Sequence, residues 1–80
     1  MSGDVKNRIK GVEEMIQVVL LAIPREISAR HFYLSAAKKA TSEESRELFE
    51  FLAQQEMGHE AELRRILENL KNDLDDLKKT

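Results

Sequence analysis

Eighty residues form at most one small domain, and a chain this short buries only about 60% of the surface its unfolded form exposes, so its own core is thin. The absence of cysteine removes disulfide staples, thiolate zinc sites, cysteine-ligated iron and thiol nucleophiles together. With 13 Lys and Arg against 15 Asp and Glu, the net charge of -2 offers no basic excess to nucleic acid or to an anionic membrane surface.

A charged fraction of 35%, with three glycines and one proline, belongs to a soluble helical protein. The longest apolar stretch, residues 16–23 with Gln17 inside it, falls far short of the roughly 20 residues that cross a bilayer. Residues 1–10 are charged and lead into no apolar run with a small-residue cleavage site, so a cytoplasmic location is expected.

Along the first half of the chain the apolar residues recur in steps of four and three: Val5, Ile9, Val12, Ile16, Val19 and Ile23. That is the period of one helix face. The same steps then meet Glu26, Arg30, Tyr33 and Ala37, so the apolar register runs into a carboxylate. A first helix is expected over residues 5–39, bent near Pro24, whose ring removes a hydrogen bond and crowds the carbonyl of Leu20. Gly11 is a second weak point, with a separate short helix over residues 4–10 as the alternative.

A turn is expected at residues 40–42, where Thr41 and Glu44 have the spacing of a capping box. The second helix, over residues 43–78, carries the stripe Phe49, Leu52, Glu56, His59, Leu63, Ile66, Leu70, Leu74 and Leu77. Glu56 and His59 occupy places where leucines belong. Each helix is about 50 Å long if straight. The single domain, residues 1–80, is therefore all-α: a long antiparallel helical hairpin with one apolar face per helix. A hairpin alone leaves much of that face in water, so the expected partner is a second copy, giving a homodimeric four-helix bundle or a ring of such dimers.

Glu26 on the first helix and the E-x-x-H pair Glu56 and His59 on the second are the inward ionisable residues. Residues three apart share a helix face, so carboxylate and imidazole can converge on one ion. Two hairpins supply one Glu from each of two helices and one E-x-x-H from each of the others, the ligand set of a dinuclear iron or manganese carboxylate centre. Four buried carboxylates repel one another, and two divalent ions cancel them. Glu56 is expected to bridge, with Glu26 and His59 terminal, although spacing alone lets either carboxylate bridge. The metal-free alternative is a polar cluster in which Arg30, one turn from Glu26, neutralises it.

The run Glu26-Ile27-Ser28-Ala29-Arg30-His31-Phe32-Tyr33, with Ala36-Ala37, Leu48-Phe49, Leu52-Ala53 and Glu56-Met57-Gly58-His59, resembles one half of a rubrerythrin of the ferritin-like superfamily, across residues 16–67. The resemblance implies a non-haem di-iron centre that reacts with dioxygen or peroxide. Rubrerythrins normally carry four bundle helices per chain and often a cysteine-ligated rubredoxin module; this chain has two helices and no cysteine. It is similar in that respect to the encapsulated ferritins, whose hairpins pair to form a ferroxidase site inside an encapsulin shell. Residues 69–80 continue the helical pattern where those proteins tend to carry a shell-targeting tail.

The expected activity is thus ferroxidase, with iron bound by Glu26, Glu56 and His59 and with Mn or Zn as substitutes; a peroxide reductase and a non-catalytic dimerisation hairpin are the alternatives. Tyr33, two turns after Glu26, is expected to hydrogen-bond a ligand carboxylate, to donate an electron, or to serve as a core tyrosine with a satisfied hydroxyl. Met15, Phe49 and Met57 are expected to pack around the site, Gly58 to mark a close helix approach or a bulge, and His31 to lie off the stripe at the surface. Glu13, Glu14, Glu60 and Glu62 read as solvated faces, or as an acidic approach that concentrates cations.

Overall fold

The computed structural model describes residues 2–79, which form two helices, α1 (Ser2–Lys39) and α2 (Glu43–Lys79). They run antiparallel: Glu13 of α1 reaches Lys78 of α2 at 3.7 Å toward the open end, while Tyr33 stacks on Phe49 toward the turn. Acidic side chains open both helices and lysines close them, each complementing the helix dipole.

At the turn, the amide of Ala40 donates to the carbonyl of Ala37 at 3.3 Å and tightens the end of α1. The cap of α2 differs from the expected one. Ser42, not Thr41, is the capping residue: its Oγ accepts from the amide of Ser45 at 3.1 Å, and its carbonyl accepts from Arg46 at 3.1 Å. Thr41 and Ser42 are both capping types, and the helix starts after the second.

Helix α1 continues through Gly11 and Pro24, so residues 4–10 are not a separate helix and Pro24 is not a boundary. Pro24 points into solvent, where the lost hydrogen bond is the least costly. Gly58 lies within unbroken α2 with nothing within 4 Å of where its Cβ would stand, so neither a close approach inside the chain nor a bulge explains it.

The hairpin is a rod of 62 × 14 × 12 Å with a radius of gyration of 18.2 Å, against about 12 Å for a compact chain of this length. Among the described residues the buried apolar side chains are Val19, Ile23, Ala37 and Ala53. Large apolar groups remain in water, Leu21 and Phe32 at 67% exposure each. Two helices side by side can cover one stripe apiece and no more.

On α1 the seam follows the expected stripe. On α2 it passes through Glu56, Glu60, Leu63, Leu67 and Leu70, leaving His59 and Ile66 at its edge. Steps of four and three can be phased two ways from Glu56, and burial selects the way that puts Glu60 and Leu67 inward. His59 therefore stands on a flank of the hairpin, which it shares with Leu48 and Ile66, 11 residues before it and seven after. No helix among the described residues is long and apolar enough to cross a membrane.

Candidate metal centre

Glu26 follows Ile23 by three residues and Glu56 follows Ala53 by three, so each carboxylate extends the buried row of its own helix. Both lie in the seam, their side chains 25% and 17% exposed. His59, one turn along α2, turns its Nδ1 inward to 3.3 Å from Glu26 Oε2 and 3.7 Å from Glu56 Oε2. One donor atom from each of the three lies within 4.8 Å of the others. The imidazole itself is 61% exposed, so the cluster is walled by carboxylates within the seam and open on the flank.

The electrostatics follow from this geometry. Glu56 is held above its ordinary carboxyl pKa, first by the hydrogen bond it shares with Glu26, then by burial, then by repulsion from the Glu26 charge; His59 acts in the opposite direction. Two carboxylates brought together in this way retain a proton or take up a cation. Two carboxylate oxygens and an imidazole nitrogen are donors suited to Fe, Mn or Zn, so the residues present fit a transition-metal ion.

Arg30 does not neutralise Glu26. Its Nη1 donates to Glu60 Oε1 at 2.8 Å, and Arg64 Nε donates to the other oxygen of Glu60 at 2.9 Å. These contacts hold the Glu60 carboxyl below its ordinary pKa, the hydrogen bond from Arg64 first, with burial opposing. The sequence places Glu60 only on a solvated face or an acidic approach, since nothing separates it from other helical glutamates except its place four residues after Glu56. Three of the four acids of the expected acidic approach are paired: Glu60 with two arginines, Glu62 with Arg65 at 2.9 Å and Glu13 with Lys78.

Tyr33 is held by its ring. It stacks on Phe49 at 6.4 Å and 22°, and meets Phe32 edge-on at 5.7 Å. Among the described residues it makes no hydrogen bond to Glu26 or Glu56, so the contact with a ligand carboxylate is not formed here. Met57 and Met15, at 54% and 50% exposure, do not pack around the cluster; within the hairpin only Phe49 of the three lies in the seam. His31 is exposed, as its position off the stripe requires.

A family model described as Rubrerythrin matches residues 17–80. The matched region contains Glu26, Glu56 and His59 together with the turn and all of α2. No curated protein and no solved structure matches the chain significantly.

Proposed function

This chain belongs to the rubrerythrin family, and we propose that it is a ferroxidase whose site is completed when two copies pair into a four-helix bundle. The observation that carries the proposal is the convergence of Glu26, Glu56 and His59 within 4.8 Å in a cluster that opens on one flank. Three donors leave an ion under-coordinated, and the same three from a second copy bring the set to four carboxylates and two imidazoles. The exposed flank gives the second copy a reason to bind: Leu48 at 54% and Ile66 at 38% exposure lie on the same flank as His59 and are covered by pairing.

In this reading Glu26 and Glu56 bind Fe(II) as substrate and offset its charge, and the lower exposure of Glu56, 17% against 25%, favours it over Glu26 as the carboxylate that would bridge. His59 binds through Nδ1, the nitrogen that faces the carboxylates. Iron held there supplies one-electron redox chemistry, with dioxygen or peroxide as the acceptor. Carboxylates change between one- and two-oxygen binding and so accept both iron charges without moving the helices. Tyr33 and Phe49 close the seam toward the turn and limit the entry of water there. Rings of such dimers, housed in an encapsulin shell, extend the same proposal.

Aerobic oxidation of added Fe(II), followed as ferric absorbance, tests it: the wild type accelerates oxidation, and Glu56→Ala and His59→Ala do not. Unchanged rates in both variants overturn the assignment. A peroxide reductase would instead turn over only with peroxide and a separate reductant, and the iron oxidised per peroxide consumed distinguishes the two.

A further inference from the structure

Arg30 stands four residues after Glu26 on α1, and Glu60 four residues after Glu56 on α2. Helical side chains lean toward the N terminus of their own helix, so from antiparallel helices these two lean back and meet beside the level of the carboxylates. The resulting ion pair is 2.8 Å long with side chains only 24% and 16% exposed, and each partner stands one turn along its own helix from a carboxylate of the cluster. Arg64 occupies the second oxygen of Glu60 at 2.9 Å, so Glu60 is committed to two guanidinium groups and is not itself a donor to the cluster.

The pairing settles where the Arg30 charge goes. One turn from Glu26, and within the same seam, a free guanidinium would find two carboxylates already crowded together, whose oxygens its planar fork matches. An arginine seated there competes directly with a cation. Resting on the metal-binding reading above, we infer that Glu60 is a positioning residue that holds Arg30 away from Glu26 and Glu56 and so keeps the cluster free for a divalent ion. Arg30 in turn ties α1 to α2 beside that cluster.

The test is a titration with Co(II) alone, which reports binding through its visible absorption without turnover, on the wild type, Glu60→Ala, Arg30→Gln and the double variant Arg30→Gln with Glu60→Ala. Glu60→Ala is expected to bind Co(II) roughly tenfold more weakly, the factor that one charge-assisted hydrogen bond commands. The double variant is expected to recover wild-type affinity, because the competing guanidinium is gone. Arg30→Gln alone is expected to bind at least as tightly as the wild type. A merely structural pair predicts instead that Arg30→Gln also binds more weakly than the wild type, with the double variant as weak as either single one.

Equal affinity in the wild type and Glu60→Ala, or a double variant no better than Glu60→Ala, overturns the inference while leaving the metal site standing. A wild type that takes up no Co(II) overturns both. Thermal melts of the metal-free variants identify any that fail to fold, and Arg30→Gln decides the matter independently if Glu60→Ala is among them.

Discussion

Replacing His59 by alanine separates a ligand from a structural residue, because the imidazole is 61% exposed and buries little surface within the hairpin. Truncating so open a side chain changes folding stability by about 0.5 kcal/mol or less. For a domain of 60 to 100 residues each kcal/mol moves Tm by roughly 4–8 °C, so the metal-free variant is expected to melt within about 4 °C of the wild type. Metal binding is a larger effect. A ligand present at about 100 times its Kd stabilises the folded state by about 2.7 kcal/mol, a rise of roughly 10–20 °C. His59 is one of the three side chains grouped within 4.8 Å, and if it binds the metal as proposed the rise disappears without it. Melts of both proteins at one fixed concentration, with and without anaerobic Fe(II), give the comparison. A large drop in the metal-free Tm would make the imidazole structural, and a rise that survives His59→Ala would refute its role as a ligand.

Other substitutions probe the remaining parts of the account. Glu56 is held above 4.5 in the folded protein, so the metal-free fold gains from protonation there: the gain is complete below pH 4.5 and is lost as pH rises through the raised value. Glu56→Gln is expected to remove that dependence, to melt above the metal-free wild type at neutral pH, and to show no metal-induced rise; an unchanged pH slope would refute the shared-proton geometry. Glu60, held below 4.5 mainly by Arg64, contributes stability above that pH that is lost as pH falls through its lowered value, so Glu60→Gln is expected to flatten the acid limb of the Tm profile. Gly58→Ala meets open space in a helix interior and is expected to stabilise the protein by about 1 kcal/mol, read as a higher Tm; a lower one would reveal a second copy packed against that position. Leu48→Asp with Ile66→Asp places charge on the flank beside His59 and is expected to leave a monomer in sedimentation analysis that no longer binds iron tightly; a variant dimer indistinguishable from the wild type would move the interface elsewhere.

The hairpin was legible because its signals are local. Steps of three and four set both helices, and Ala40-Thr41-Ser42 followed by acids marked the turn. The errors arose where local signals were degenerate. Thr41 with Glu44 and Ser42 with Ser45 are both cap patterns, one residue apart, and only the fold selects the second. The stripe on α2 fits two phases, and within one hairpin His59 lies on a flank with its Nδ1 turned toward the carboxylates.

The proximity of Glu26, Glu56 and His59 could be anticipated because each carboxylate replaces an apolar residue in a buried row. The fate of Arg30 could not. Glu26 is its near neighbour along the helix, and its actual partner, Glu60, is 30 residues away and becomes a neighbour only once the antiparallel register is fixed. Hydrophobicity alone puts Met15 and Met57 around the site, but a two-helix rod has no second layer to hold them.

The most direct measurement is anomalous diffraction from crystals soaked anaerobically in Fe(II). The account predicts two ions about 3.5–4 Å apart, between the Glu56 carboxylates of two chains, with Glu26 and His59 of each chain completing the shell. A single ion held by one chain alone, or clusters of Glu26, Glu56 and His59 facing solvent with no iron, would contradict it.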